Sequence, residues 1–295
     1  MTSSPGFRLP SSRRSRARPL TSYSLRILRF HYFLSHSGVA ISLRGTIVVQ
    51  TVGFALSVTP GHVGEVFKLH LIRQRVGTSL VQTAPLLLLD RLTEGGGFMI
   101  LATASALILP ALQAQTPMPT LILLALALMF AFALTHTRWS GGIAVANARL
   151  AESRLGRRFV PHLQNLWHGL ETSFTLSMVL GGLGLSALAR FADGFVVLFA
   201  AHIVGVELAL PTAVFVIAVS GLAGGVSLLP AGIGAVETTM VGLLVLLGAT
   251  WSNALAIALL ARLFTLWLWV ALGLATAFLL RLRALRTRSS EGAEF

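Results

Sequence analysis

Three charged side chains lie close together inside a long apolar stretch, and they are the first candidates for chemistry. Asp90, Arg91 and Glu94 interrupt the apolar run of residues 80–109. A charge at bilayer depth costs at least about 2.5 kcal/mol, so such residues are usually paired and functional. Asp90 and Glu94 share one helical face, and Arg91 lies beside that face and can neutralise one of them. The group is either part of a polar binding site or an ion pair that locks helices together.

A proline-glycine break that leads into a basic segment is the second candidate. The break and the helix start after it supply four residues of interest: Pro60, Gly61, Gly64 and Glu65. Lys68, the only lysine of the chain, follows within a turn. A helix that starts after such a break presents free N–H groups and a positive dipole end to an anion. The segment therefore predicts a phosphate-binding corner, unless Lys68 only extends its ammonium group to the membrane interface.

This break has a counterpart in the second half of the chain. Residues 57–65 read S-V-T-P-G-H-V-G-E, and residues 227–237 read S-L-L-P-A-G-I-G-A-V-E. An arginine follows deep in the next apolar run, 26 residues after the first Glu (Arg91) and 25 residues after the second (Arg262). The shared order and spacing indicate an internal repeat. The second copy adds five candidate binding residues: Pro230, Gly232, Gly234, Glu237 and Arg262.

Two further groupings of charges have a simpler interpretation. Glu237 and Arg262 can form an ion pair with each other between neighbouring helices. Arg190 and Asp193 are three residues apart in a long apolar run, and this spacing predicts a local ion pair within one helix. The eight histidines show no spacing that suggests a metal site, so we expect neither a metal nor another cofactor.

The elements that must position these residues are membrane helices. The 295-residue chain is 55% hydrophobic and 11% charged, whereas a soluble domain has about 25% charged residues. Several apolar runs are long enough for a hydrocarbon core of roughly 30 Å. The net charge of +13 comes from arginines in short tracts between these runs, which is typical of cytoplasmic loops and argues against nucleic-acid binding. The absence of cysteine excludes disulfides and thiolate metal sites.

Two of the apolar runs, residues 46–59 and 213–229, end at the two prolines and are too short to cross a bilayer alone. Proline lacks a backbone donor and clashes with the preceding helical turn. In a membrane such a break is tolerated only where it is buried in protein or lines a wet cavity. We therefore predict two broken or re-entrant helical hairpins.

Arginine tracts predict how the chain is oriented. The tracts at residues 73–75, 154–158 and 281–288 are expected in the cytoplasm, and the uncharged linker 110–119 outside. The first hairpin then enters from the cytoplasm and the second from outside, so the repeats are inverted, as in many transporters. The predicted fold is an all-α membrane protein: a polytopic helical bundle with inverted repeats, each with a broken or re-entrant helical hairpin.

The predicted domain organisation has three parts. Residues 1–24 form an Arg/Ser-rich, disordered cytoplasmic segment, residues 25–282 the transmembrane domain, and residues 283–295 a cytoplasmic tail. The run 174–205 precedes the second hairpin, but its counterpart before the first hairpin is only residues 25–35, which carry Arg26 and Arg29. We therefore expect one or two further helices to be encoded upstream.

The two break motifs resemble those of the lysylphosphatidylglycerol synthase transmembrane-domain family, which is also called flippase-like. The first resembles the family pattern P-G-x-x-G-E followed by an acid-Arg pair, here Pro60, Gly61, Gly64, Glu65 and Asp90-Arg91. The second is a shortened form of L-P-x-x-x-G-G-x-G-x-R-E, with Ala231 at a glycine position and Val236 at the arginine position. The likeness extends over residues 25–280, and the lost arginine predicts weaker anion binding at the second break.

The resemblance implies that the protein handles or translocates an anionic or aminoacylated lipid across the bacterial inner membrane. Alternatively, it presents lipid to a glycosyl- or aminoacyl-transferase partner, or it is a non-catalytic scaffold in envelope lipid metabolism. Only 15 residues follow Leu280, so we expect no soluble transferase domain and a transporter-like role rather than an enzyme. The expected partners are membrane lipids and, in the alternative case, a transferase protein.

Overall fold

The computed structural model describes residues 18–59, 63–78, 80–109 and 175–291, and all regular secondary structure in these ranges is helical. The α-helices are α1 Arg18–His36, α2 Leu43–Ala55, α3 Val63–Val76, α4 Leu80–Ile108, α5 Leu176–Val204, α6 Leu210–Val226, α7 Ala235–Leu246, α8 Trp251–Arg262 and α9 Leu268–Glu291. Two 3-10 turns, Leu56–Val58 and Pro230–Gly232, follow α2 and precede α7, and a π-helical turn, Leu263–Trp267, joins α8 to α9.

Two helical stretches in the described ranges are long and apolar enough to cross a bilayer, namely Leu176–Val204 and Trp251–Leu282. The second of them contains α8, the π-helical turn and the first part of α9. Helix α4 has the same length as α5, 29 residues, but it carries the three charges around Asp90. The helical architecture confirms the predicted all-α class.

Helices α2 and α3 form a hairpin around the first break. The Ser42 side chain caps α2 by accepting a hydrogen bond from the Gly45 amide. Arg75, near the end of α3, donates to the Gly45 carbonyl oxygen at 3.2 Å, so α3 returns to the level at which α2 begins. A Cβ atom on Gly64 would lie 2.5 Å from the Gly53 carbonyl oxygen, so only glycine allows the two backbones to approach this closely.

Helices α6 and α7 form the corresponding hairpin around the second break. Leu228 and Ala231 adopt left-handed backbone angles there, with φ of 55° and 49°. Gly232 packs against Gly224, because a Cβ atom on Gly232 would lie 2.9 Å from the Gly224 Cα. The turn Pro230–Gly232 contacts the turn Leu56–Val58, so the described residues beside the two breaks lie against each other.

The two breaks also share a local hydrogen bond. Ser57 Oγ donates to the Phe54 carbonyl oxygen at 2.7 Å, and Ser227 Oγ donates to the Gly224 carbonyl oxygen at 2.8 Å. Each serine lies three residues before the proline of its motif, and each closes the last turn of the helix before the break. The sequence repeat therefore has a local structural counterpart.

The apolar core has two main clusters, which follow the two halves of the chain. One contains buried residues of α1 to α4, including Phe33 and Leu86, together with Met178 of α5. The other contains buried residues of α5 to α8, including Val197 and Met240. Helix α5 joins the halves, since it packs against α1, α4, α6 and α8. Charged groups at the contacts of α5 with α1 and α4 therefore lie deep inside the protein.

Some predicted boundaries and segments differ from the structure or lie outside it. Helix α1 begins at Arg18, so it extends further toward the N-terminus than the predicted boundary at residue 25 and has 19 residues. Helix α9 continues to Glu291, while the stretch long and apolar enough to cross a bilayer ends at Leu282, which is also the predicted end of the membrane domain. The linker 110–119 and the basic loop 154–158 lie outside the described residues, as do Pro60 and Gly61.

Candidate functional site

A cavity of about 450 Å³ lies where the first-half helices meet α5 and the two breaks. Of the residues that the structure describes, six basic side chains line it: Arg26, Arg29, Lys68, Arg91, Arg190 and Arg262. Three acidic side chains line it as well: Asp90, Glu94 and Asp193. The walls also include the apolar and aromatic side chains of Ile27, Phe54 and Phe98, so the charges are held in a largely apolar surrounding.

Asp90 of α4 is paired with Arg29 of α1. The Asp90 Oδ1 atom accepts from Arg29 Nη2 at 2.7 Å and from Arg29 Nε at 2.9 Å, which is a two-point contact. Arg29 Nη1 also donates to Ser186 Oγ on α5 at 2.6 Å. The Arg29 side chain is only 2% exposed. This arginine therefore joins α1, α4 and α5 at a buried point.

Asp193 of α5 accepts hydrogen bonds from side chains of α1 and of its own helix. It accepts from Ser22 Oγ at 2.5 Å, from Arg26 Nη2 at 2.9 Å and from Arg190 Nη1 at 2.8 Å. The ion pair between Arg190 and Asp193 that the spacing predicts is therefore present, and it belongs to a larger network. With three donors, the Asp193 carboxylate is well compensated for its burial.

Glu94 lies at the centre of the arginines. It contacts Arg190 directly, it accepts from Arg91 Nη1 at 3.1 Å, and Arg26 and Arg29 approach it to 3.9 and 4.0 Å. The Arg190 guanidinium also lies over the Phe98 ring, 4.3 Å from the centroid. Arg91 was predicted to neutralise one of the two acids of α4, and it does pair with Glu94, but the other partners come from α1 and α5.

The Lys68 side chain of α3 packs closely over α2 and extends to the cavity. Its stem runs across Gly53, where an added Cβ atom would lie 2.3 Å from Lys68 Cγ. Its Nζ atom lies 5.8 Å from the centroid of the Phe30 ring, and the residue is 4% exposed. Lys68 therefore does not extend to a surface position, whereas Arg73 and Arg75 of the same helix are exposed.

At the second break, Arg262 forms hydrogen bonds with the turn Pro230–Gly232 and with Glu237 of α7. Its Nε atom donates to Glu237 Oε1 at 2.5 Å, and its Nη2 atom donates to the Ala231 carbonyl oxygen at 2.9 Å. The second carboxylate oxygen of Glu237 accepts from the Gly234 amide at 2.7 Å at the start of α7. Glu237 and Arg262 thus form the ion pair that the sequence left open, and they also tie α8 to the break.

The structure brings together most of the described candidate residues. Six of them line the cavity: Lys68, Asp90, Arg91, Glu94, Gly232 and Arg262. Gly64, Pro230, Gly234 and Glu237 lie in the hairpins next to it and shape the two breaks. Glu65 lies on α3, and its side chain is outside the described part of the chain. A role for these residues in binding substrate stays a prediction.

The contribution of α1 to this site is not among the predictions from the sequence. Arg26 and Arg29 enter there only as charges on the short segment 25–35, yet both line the cavity and pair with acids of α4 and α5. Arginines inside an apolar segment are themselves a signal of a polar interior. The partners could not be identified, because they are more than sixty residues away in the chain.

Comparison with known proteins agrees with this architecture. Neither a curated protein nor a solved structure matches the chain. Residues 18–273, by contrast, match the family described as the lysylphosphatidylglycerol synthase TM region. The matched range begins at the first residue of α1 and includes every residue named above as lining the cavity. Because this match covers most of the chain, the protein belongs to the lysylphosphatidylglycerol synthase TM-region family, a family of membrane proteins.

Proposed function

We propose that this protein is a multi-pass, flippase-like protein of the bacterial inner membrane that binds an anionic or aminoacylated lipid and moves it between leaflets. The observation that carries the proposal is the charged cavity at the meeting point of the two breaks. Charges buried at membrane depth usually mark a substrate path. Broken helices that meet near the middle of the bilayer are the usual place of a transporter's binding site.

Inverted repeats would supply the movement. The arginine distribution predicts opposite directions of entry for the two hairpins, and their turns contact each other. In such an arrangement one repeat rocks against the other around a fixed site and opens it to each side in turn. We propose that the headgroup enters from the cytoplasmic side and leaves on the outer side.

The first break is the stronger anion site in this proposal. Backbone N–H groups at the start of α3 would orient a phosphate, and Lys68 would provide the opposite charge. At the second break Val236 replaces the arginine of the family pattern. Its side chain is 6% exposed and packs against Gly224 and Gly232, so it supports helix packing rather than anion binding. The two breaks are therefore expected to contribute unequally.

Lipid movement by the purified protein tests the proposal. The protein is reconstituted into vesicles that contain fluorescent phosphatidylglycerol, and a membrane-impermeant quencher reports the fraction of probe that reaches the outer leaflet. We expect faster exchange between leaflets than in protein-free vesicles, a lower rate for Lys68→Ala, and an unchanged rate for Arg73→Ala, which removes an exposed charge from the same helix. A wild-type rate equal to that of protein-free vesicles contradicts translocation.

The main alternative is a lipid-presenting subunit that works with a glycosyl- or aminoacyl-transferase partner. It predicts lipid binding in the same cavity without movement between leaflets. Binding of phosphatidylglycerol that depends on Lys68, together with a translocation rate at the protein-free level, would favour this alternative. A scaffold without a lipid site predicts neither binding nor movement.

A further inference from the structure

We propose that the cavity selects a headgroup of net negative charge, a phosphodiester without a cationic substituent, over an aminoacylated headgroup of net positive charge. This inference rests on the proposed function and decides between its two substrate classes. Three features of the described cavity support it. The basic side chains outnumber the acidic ones, the carboxylates are already paired with arginines, and two arginine Nε atoms have no hydrogen-bond acceptor among the described residues.

The charge balance of the cavity wall is positive. Six basic and three acidic side chains line it, and Glu237, next to the cavity, offsets Arg262. Even when Lys68 is left out of the count, five arginines stand against these four carboxylates, which is an excess of one positive charge among the described side chains. In a largely apolar surrounding this excess is screened less than at a surface, because the effective dielectric constant is lower. A bound anion would offset it, and a bound cation would add to it.

The carboxylates of the wall are already engaged by arginines. Asp90 makes its two contacts with Arg29. Asp193 accepts from Arg26 and Arg190, and Glu94 from Arg91 and Arg190. A lysyl or other ammonium group that binds one of these carboxylates would share it with a buried guanidinium or displace that guanidinium. Either outcome weakens the compensation of the buried guanidinium charge, which is costly in the interior.

Two of the arginines retain unused hydrogen-bonding capacity. The Nε atoms of Arg26 and Arg190 are buried and have no hydrogen-bond partner in the described part of the chain. The Arg190 side chain is 5% exposed, and both residues line the cavity. Phosphate oxygens suit the planar donor set of arginine. A phosphodiester between Arg26 and Arg190 would, after a small side-chain adjustment, give these donors an acceptor.

Binding of matched lipids to the purified wild-type protein tests the inference. Phosphatidylglycerol, lysyl-phosphatidylglycerol and phosphatidylcholine with identical acyl chains are compared by native mass spectrometry. We expect phosphatidylglycerol to bind about tenfold tighter than the lysyl lipid, or more. Equal or tighter binding of the lysyl lipid overturns the inference and leaves the proposed function standing. If neither lipid binds better than phosphatidylcholine, the proposed function itself fails.

A variant with a matched control tests the role of the arginines. Arg26→Gln is suitable because Asp193 keeps Arg190 and Ser22 as donors. We expect the ratio of phosphatidylglycerol to lysyl-lipid binding to fall several-fold, and Arg73→Gln, at an exposed position on α3, to leave it unchanged. An unchanged ratio in a folded Arg26→Gln protein contradicts the assigned role. If that variant does not fold, the wild-type comparison decides alone.

The source of the phosphate is tested by competition with glycerol 3-phosphate. A failure to displace phosphatidylglycerol at equal concentration supports a lipid headgroup as the ligand. Displacement as effective as that by unlabelled phosphatidylglycerol would support the anion preference but contradict the lipid source, and would assign the site to a soluble phosphoester.

Discussion

At the scale of single residues, the buried ion pair between Arg29 and Asp90 is the contact whose loss we expect to destabilise the protein most. Both side chains are almost fully buried, and each is the main ionic partner of the other. Asp90→Asn would leave the Arg29 guanidinium without its counter-ion, and breaking a buried pair in this way costs about 3–5 kcal/mol. We expect a clearly lower midpoint in thermal unfolding of the detergent-solubilised protein.

Arg91→Gln provides the control for this prediction. Its side chain is 47% exposed, and Glu94 keeps Arg190 as a partner, so the midpoint should fall much less. In the double variant Arg29→Gln, Asp90→Asn the midpoint should fall by less than the sum of the decreases in the two single variants, because neither charge then remains unpaired. Equal midpoints for Asp90→Asn and Arg91→Gln would show that the pair does not hold α1 against α4.

Ala231 occupies a backbone conformation that suits glycine. Its φ of 49° lies in the left-handed region, which costs a residue with a Cβ atom about 1–2 kcal/mol. Ala231→Gly should therefore raise the free energy of unfolding by about 1 kcal/mol. Ala256→Gly, within α8, should lower it by about 1 kcal/mol, because glycine is a poor helix former. The two variants are compared by thermal unfolding, and a destabilised Ala231→Gly protein would contradict the prediction.

Among the elements, the hairpin of α2 and α3 depends on a close contact between backbones. A Cβ atom at position 64 would lie 2.5 Å from the Gly53 carbonyl oxygen and 2.7 Å from the Leu56 carbonyl carbon. Backbone atoms cannot move aside as the end of a flexible side chain can. Gly64→Ala should therefore separate the helices and lower the free energy of unfolding by about 1–3 kcal/mol.

The matched control is Gly184→Ala on α5, where a Cβ atom would meet no atom of the described residues within 4 Å. This change should be neutral or stabilising by up to about 1 kcal/mol, because alanine favours the helix. Since Lys68 follows Gly64 on α3, Gly64→Ala should also weaken phosphatidylglycerol binding in protein that remains folded. A Gly64→Ala protein as stable and as active as Gly184→Ala would rule out the close contact.

For the whole molecule, the testable property is its orientation in the membrane. The arginine tracts predict both chain ends in the cytoplasm and the linker 110–119 outside. The natural chain has no cysteine, so single cysteines can be introduced. In intact cells an impermeant thiol reagent should label Gln115→Cys, whereas Ser289→Cys should react only after lysis. Labelling of Gln115→Cys only after lysis would reject this topology and the inverted arrangement of the hairpins.

The sequence by itself determined the class of the protein and the approximate position of its special residues. Composition and run length indicate an all-helical membrane protein, because few charges are available to cover a water-facing surface. The repeated proline-glycine motif predicts both breaks, because proline combined with neighbouring glycines disfavours a continuous helix. Proline alone is not sufficient, since Pro85 lies inside α4. The spacing of Arg190 and Asp193 predicts their ion pair, because that contact depends only on the helical repeat.

Only the tertiary structure decided which charges share a cavity. Asp90 pairs with Arg29 and Asp193 with Arg26 across more than sixty residues of chain, and no helical spacing contains that information. The burial of Lys68 likewise depends on Gly53, which lets the lysine stem cross α2. A buried charge needs a partner, but the packing of the helices selects which one it obtains. The sequence therefore identified charged residues as candidates for a headgroup site, and the packing of α1 and α5 around α4 placed several of them around one cavity.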